Sequence, residues 1–209
     1  RTLETLFFSE YGEGSGSHKF LEIYNPTNET IDLSGYAYPN TNNGADVEGV
    51  HDYWNTFDDG ATIAPGAVYI IADSDADASI VALANETHEY LSNGDDGYCL
   101  VMGVETDYQI VDCIGDFGVT DPGTGWAVAG EASATANHTL VRKANVSSGN
   151  GGDWTTSAGT NVEDSEWIVY FEHDVIPMES DFWDKLDKSL EKIDTDKVSM
   201  FSPNSIMDY

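Results

Sequence analysis

Apolar residues in most of this chain come in short runs that polar turns interrupt. The clearest example begins with the run FLEIY over residues 20–24, and Pro26 follows closely. Proline lacks a backbone N–H donor, so Pro26 fits just after a strand rather than within one. After a polar turn, Ile31 and Leu33 alternate with polar residues until Gly35. The segment therefore predicts a strand, a turn and a second strand.

The same alternation recurs along the chain. It predicts further strands over 3–10, 36–38, 67–72, 98–102, 109–114, 139–142 and 166–171. Polar stretches predict loops over 11–17 and 39–60, and a short helix is expected near 78–84. Many short strands with frequent turn signals are typical of an all-β protein, and here they predict an antiparallel β-sandwich.

The C-terminal part of the chain has a different pattern. Apolar residues recur there at helical spacing, at Phe182, Trp183, Leu186, Leu190 and Ile193. We expect a sandwich domain over 1–176 and an amphipathic C-terminal helix with a tail over 177–209. The helix either packs on its own sandwich or joins a partner or second copy, and in the second case the protein oligomerises through it.

Charge is the outlying property of the composition. The chain has 38 acidic and 8 basic residues, a formal net charge of −30. Such a surface repels phosphate backbones and attracts cations, so we expect no nucleic-acid binding. The acidity is explained either as solvation in a salty environment or as carboxylates grouped to hold calcium. No apolar run approaches the roughly 20 residues of a membrane span, so no membrane insertion is expected.

Aspartates on loops are the candidate calcium ligands. Asp73, Asp75 and Asp77 alternate as at the start of an EF-hand loop, but Ala78 and Ala84 replace its glycine and its bidentate glutamate. A looser site needs only carboxylates and carbonyls. The candidate metal ligands are Asp73, Asp75, Asp77, Asp95, Asp96, Asp112 and Asp116. For each set the alternative role is a helix cap or turn former.

The long loop over 39–60 contains a candidate ligand-binding group, His51, Tyr53 and Trp54. Tyr53 and Trp54 either stack on a sugar or anchor the loop through local hydrophobic contacts. The chain has no G-x-S-x-G, His-Glu-x-x-His, P-loop or Cys-x-x-Cys motif, and such motifs carry nucleophilic, zinc and phosphate chemistry. We therefore expect a protein that is not an enzyme.

Cys99 and Cys113 lie in the two strands of a predicted hairpin. If the turn is centred on Thr106, the two cysteines face each other, as do Val101 and Val111, at a distance that a disulfide tolerates. The alternative is two buried free thiols, as in a cytosolic protein. Asn-X-Ser/Thr sequons at Asn28, Asn85, Asn137 and Asn145 are acceptors only in a glycosylating organism.

The segments Glu22–Pro26 and Asp32–Tyr36 resemble the "ELYNP" and "DLSGW" motifs of the lamin-tail domain family. Further segments match in order, at Ile63–Gly66, Asn93–Asp96, Val111–Gly115 and Asn137–Lys143. The resemblance covers about residues 5–172 and is nearest to the subset found in secreted proteins, often beside nuclease or phosphatase domains. It implies an immunoglobulin-like β-sandwich.

Together these features lead us to expect a secreted, non-catalytic module for binding, adhesion or surface and matrix assembly, with calcium as a candidate cofactor. Its partner would be a protein or glycan at the cell surface or in the matrix, so the expected location is extracellular. The alternative that the resemblance leaves open is the accessory lamin-tail region of an extracellular nuclease or phosphatase.

Overall fold

The computed structural model describes residues 4–170, and these form eleven β-strands, two short α-helices and one 3-10 turn. The strands are β1 (Phe7–Glu13), β2 (Lys19–Tyr24), β3 (Ile31–Asp32), β4 (Tyr36–Ala37), β5 (Thr62–Ile63), β6 (Val68–Asp73), β7 (Glu86–His88), β8 (Tyr98–Val104), β9 (Asp107–Ile114), β10 (Thr139–Arg142) and β11 (Trp167–Tyr170). The 3-10 turn is Leu33–Gly35, and the helices are α1 (Ala78–Val81) and α2 (Trp154–Ala158).

The strands form a six-stranded sheet in the order β11-β10-β1-β2-β6-β7, a three-stranded sheet in the order β4-β8-β9, and the small pair β3-β5. Their pairings are antiparallel except for that of β6 with β7, which is parallel. The fold is an immunoglobulin-like β-sandwich, so the predicted fold class is confirmed.

The main core lies between the two larger sheets, because alternate residues of each strand point inward. Phe8, Leu21 and Ile71 from the six-stranded sheet belong to the same buried cluster as Leu100 and Ile114 from the three-stranded sheet. The alternating residues of β2 and β6 form a separate cluster on the outer face, where Phe20, Ile70 and Ala72 pack with Ile80 of α1. The six-stranded sheet is therefore apolar on both faces along these strands.

A buried ion pair lies within the main core. The Arg142 guanidinium donates to both carboxylate oxygens of Asp112 at 2.5 and 2.6 Å, and it lies 4.1 Å from the ring of Trp167. Asp112 also accepts hydrogen bonds from the backbone N–H groups of Phe8 and Asn150, at 2.8 Å each. The pair therefore connects β1, β9, β10 and the loop before α2.

Several element bounds differ from the sequence expectations. β1 runs to Glu13, where a loop over 11–17 was expected, because a β-bulge between Phe8 and Glu10 returns Tyr11 to the core. The short helix near 78–84 is confirmed as α1, which begins after its N-cap Asp77. Strand β7 and helix α2 were not expected. The expected C-terminal helix and the domain boundary at residue 176 lie outside the described residues.

Candidate functional site

The hairpin of β8 and β9 forms the base of the candidate site. Cys99 and Cys113 are directly opposed in the two strands, and they form a disulfide with a Cα–Cα distance of 4.1 Å. This confirms the predicted bond. Both cysteines alternate with core residues, so the disulfide lies on the outer face of the three-stranded sheet, in a buried cluster with Val101 and Phe117.

The rest of the expected hairpin register is wrong. Val101 faces Ile110 rather than Val111, and Gly103 faces Tyr108. The reason is a β-bulge after Leu100, which places one extra residue in β9. Gly103 has a φ of 133°, and a β-carbon there would collide with the backbone of Asp107 and Tyr108. The tight end of the hairpin therefore requires glycine at this position.

The 39–60 loop crosses the outer face of this hairpin and is held there by backbone hydrogen bonds. Tyr53 and Asn40 exchange two backbone bonds at 3.0 Å each, and the Gly49 N–H donates to the Phe117 carbonyl at 2.7 Å. The Asn55 side chain adds bonds to the Tyr38 carbonyl at 3.1 Å and to the Asn40 side chain at 2.8 Å. A long loop with this many internal bonds is preorganised.

Three rings fasten the loop to the hairpin. The ring centroids of His51 and Trp54 are 5.2 Å apart, and each lies near Tyr108 of β9, at 5.6 and 5.4 Å respectively. Trp54 and Tyr108 both pack on the buried cluster that contains the disulfide. Of the two roles considered for Trp54, the structure therefore favours the hydrophobic anchor. Tyr108 was not among the expected site residues. It lies opposite Gly103 because only residues 105 and 106 separate the two strands.

Three exposed side chains of the loop are apolar and lie beside these anchors in the chain, together with exposed polar residues such as Glu48. Tyr53 is 55% exposed, and it takes no part in the three-ring contacts. Val47 is 60% exposed and Val50 is 43% exposed, and a backbone hydrogen bond of 3.0 Å joins them in one turn. We call residues 47–54 the binding loop. Its apolar side chains project to solvent from a fixed backbone.

The electrostatic surroundings of the binding loop are acidic. The Glu105 carboxylate lies 3.8 Å from Nε2 of His51, and the His51 Nδ1 atom lies 3.2 Å from the Tyr108 hydroxyl. Burial raises the pKa of Tyr108, so its hydroxyl stays neutral at physiological pH. Asp52 accepts hydrogen bonds from the backbone N–H groups of Asn42 and Asp46, at 2.9 and 3.0 Å. This acidic surface disfavours anionic groups.

The geometry also limits the kind of ligand. Rings with centroids 5.2–5.6 Å apart are in mutual contact, so they leave no room for a cation between them and do not form an aromatic cage. The apolar groups that remain exposed are Val47, Val50 and Tyr53. Apolar side chains on a fixed loop suit a partner that covers them by surface contact.

The aspartates expected to hold calcium have local hydrogen-bonding roles. Asp73 accepts from the Asp75 N–H at 2.9 Å, and Asp77 caps α1 by accepting from Ser79 at 2.8 Å. Asp116 accepts from the Gly118 N–H at 2.7 Å. Within residues 4–170, no three His, Cys, Asp or Glu side chains are grouped closely enough to hold a metal ion.

Asp95 and Asp96 are the expected ligands that do lie together beside other carboxylates. Asp96 accepts from the Asn43 N–H at 2.9 Å. Burial raises the pKa values of Asp95 and Asp96, and the charges of neighbouring aspartates add to both shifts. Asp112 has a different environment, because it lies in the core and both of its oxygens are bonded to Arg142. The sequence analysis expected Asp112 to be a metal ligand on a loop, but its side chain lies in the core instead.

A family model for the lamin tail domain matches residues 2–115. The chain belongs to the lamin tail domain family. The members of this family are non-catalytic, immunoglobulin-like domains, in agreement with the observed sandwich. The match includes the three-stranded sheet and the binding loop. Comparison with curated proteins and with solved structures gives no significant match. Among the described residues, no helix has the length and apolar content needed to cross a membrane.

Proposed function

We propose that this lamin tail domain protein is a secreted, non-catalytic binding module, and that its binding loop contacts a protein or glycan partner at the cell surface or in the matrix. The observation that carries the proposal is the exposure of Val47, Val50 and Tyr53 on a loop whose backbone is fixed. Apolar groups on a preorganised loop bind with little loss of conformational entropy.

Two further observations support a secreted location and a partner of this kind. The Cys99–Cys113 disulfide is typical of proteins in oxidising compartments. The net charge of −30 disfavours polyanionic ligands such as nucleic acids, and it favours neutral glycans or proteins with a basic surface.

The test is a binding screen with matched tyrosine variants. The purified chain is applied to an array of neutral and charged glycans and to a panel of matrix and cell-surface proteins. Tyr53→Ala should weaken the strongest interaction at least tenfold. Tyr90→Ala is the control, because Tyr90 is 73% exposed and lies outside the binding loop. Equal binding by Tyr53→Ala and the parent chain would refute the assignment of the binding surface to this loop. If the parent chain binds neither the glycans nor the proteins, the result counts against a binding function.

A further inference from the structure

The four sequons differ in their surroundings, and Asn145 has the most favourable ones. It lies in a turn after β10 that is closed by a 3.0 Å hydrogen bond from the Val146 N–H to the Lys143 carbonyl. Asn145 and the sequon hydroxyl residue Ser147 are both exposed. In the part of the chain that the structure describes, no hydrogen bond is assigned to the Asn145 side chain, so its Nδ2 atom is accessible.

Two other sequons are less favourable. The hydroxyl of the Asn137 sequon belongs to Thr139, which is buried in β10, and the Asn137 backbone N–H is bonded to Glu13. The Asn85 side chain accepts a hydrogen bond from the Ile70 N–H at 2.8 Å, which fixes it against β6. The Asn28 sequon is exposed and provides an internal comparison for Asn145.

A polar cavity adjoins Asn145 and distinguishes it from Asn28. The cavity has a volume of about 320 Å³, and Asn145 and Ser147 are among its lining residues, with Ser148, Glu163 and Lys143. This volume lies at the lower end of the range of roughly 300–1,000 Å³ for small-molecule pockets. It is suited to one sugar ring.

The lining of the cavity offers groups that pair with sugar hydroxyls. The Lys143 ammonium donates to the carbonyls of Val162 and Ser165 at 2.6 and 2.5 Å. An ammonium has three donors, so one remains. The Ser148 hydroxyl and the Glu163 carboxylate have no assigned hydrogen bond within residues 4–170, and they supply further donors and acceptors.

We propose that Asn145 carries an N-linked glycan whose first sugar lies in this cavity. The proposal rests on the secreted location proposed above, because the donor is a lipid-linked sugar diphosphate outside the cytosol. The Asn145 Nδ2 atom loses a proton and bonds to the anomeric carbon of the sugar. The bond from that carbon to the diphosphate oxygen breaks, and the lipid diphosphate leaves with the bonding electron pair and takes up the proton, so nothing is oxidised or reduced.

The test uses the full chain secreted from a eukaryotic host that N-glycosylates. Peptide mass spectrometry after enzymatic deglycosylation in heavy water measures the occupancy of each sequon. Asn145 should be occupied, and Ser147→Ala should remove its glycan. An unoccupied Asn145 would overturn the proposal. Because secretion is imposed by the host, this result does not depend on whether the protein is secreted in its own organism.

A second measurement tests the cavity. Under native conditions an endoglycosidase should release the glycan of Asn145 at least tenfold more slowly than that of Asn28. The two rates should become equal after denaturation. The double variant Ser148→Ala with Glu163→Ala keeps the sequon and should speed native release from Asn145. Equal native rates at the two sites in the parent chain would overturn the placement of the sugar. The binding screen with Tyr53→Ala is a separate experiment, and its outcome does not depend on the occupancy or the release rate at Asn145.

Discussion

Two carboxylates are buried on opposite faces of the six-stranded sheet, and they differ in how their charge is compensated. Asp112 lies between the sheets, where Arg142 donates to both of its oxygens and two backbone N–H groups add further bonds. Glu22 lies on the outer face, where the Ser9 hydroxyl donates to it at 2.7 Å. Its cross-strand neighbours are Glu10 and Ile70, neither of which supplies a positive charge.

The Asp112 charge is part of a structural ion pair, whereas the charge of Glu22 changes with pH near neutrality. Burial raises the pKa of Asp112, but the Arg142 guanidinium and the backbone donors act in the opposite direction. Burial also raises the pKa of Glu22, to about 7, against which the Ser9 hydrogen bond acts only in part. We infer that the Asp112 pair holds strands together, whereas Glu22 makes stability depend on pH near neutrality.

The largest effect is expected when the compensated charge loses its partner. Arg142→Met should lower the free energy of unfolding by about 3–5 kcal/mol, because it leaves the buried Asp112 carboxylate unpaired. Chemical denaturation measures this loss. Adding Asp112→Asn keeps an acceptor for the Phe8 N–H and removes the charge, so the double variant should be more stable than Arg142→Met alone.

The control for this prediction is a carboxylate at the surface. The Glu105 side chain is 63% exposed and lies 3.8 Å from His51, and contacts of an exposed carboxylate contribute about 0–1 kcal/mol. Glu105→Gln should therefore leave stability almost unchanged. A loss of less than about 1 kcal/mol for Arg142→Met would mean that the core relaxes around Asp112, and the contrast with Glu22 would disappear.

The second prediction concerns the uncompensated charge. The folded state holds the Glu22 proton up to about pH 7, whereas the unfolded chain releases it near the ordinary value of 4.5. Between these values the folded state binds more protons, so the contribution of Glu22 to stability falls as pH rises and is constant above about 7. Glu22→Gln keeps an acceptor for Ser9 and should stabilise the protein above pH 7 by about 3 kcal/mol.

Denaturation series from pH 4 to pH 8 measure this difference between variant and parent. Glu29→Gln, at an exposed position, is the matched control and should show a pH dependence equal to that of the parent. If the stability of Glu22→Gln parallels that of the parent chain across the series, Glu22 is compensated in the folded protein, and the contrast with Asp112 is incorrect.

The third prediction concerns whether the neighbouring disulfide holds Asp112 in position to pair with Arg142. Cys113 follows Asp112 in β9 but points to the outer face, and the Asn150 side chain bonds both the N–H and the carbonyl of Cys113, at 2.9 and 2.8 Å. The double variant Cys99→Ala with Cys113→Ala should lose at most about 3 kcal/mol, the entropy of a short closed loop.

The Arg142 contribution provides the check on that third prediction. If the buried ion pair fixes β9 by itself, the cost of Arg142→Met should be the same with and without the disulfide, to within about 0.5 kcal/mol. A much smaller cost in the alanine background would show that the disulfide positions Asp112. Trp54 packs on the disulfide cluster, and the part of the fluorescence that Trp54→Phe removes reports separately whether the binding loop is released.

Local patterns predicted much of this fold, whereas contacts between distant segments were not predicted. Alternation located most strands, and one of the aspartates at 73, 75 and 77 was expected to cap the short helix, a role that Asp77 fills in α1. Cys99 pairs with Cys113 as expected even though the turn is not centred on Thr106, because the extra residue of the bulge in β9 restores that pairing. The pairing of Asp112 with Arg142, 30 residues apart, has no local pattern. His51 and Trp54 were expected at the site from their loop, whereas Tyr108 joins it only through the folded hairpin.

The smallest effect concerns aspartates on loops and at the end of β6, and we propose that calcium stabilises the loops that carry them. The candidates are Asp73, Asp75, Asp77, Asp95 and Asp96. Burial raises the pKa values of Asp95 and Asp96, and the negative charges of neighbouring aspartates raise both further. Extracellular calcium sites have dissociation constants of roughly 0.1–1 mM, so calcium at tenfold excess over that constant should add about 1.4 kcal/mol. Thermal unfolding in calcium, compared with magnesium at equal ionic strength, separates a specific site from screening. Asp95→Asn with Asp96→Asn should remove the calcium-specific part, and an equal shift in both salts would leave only screening.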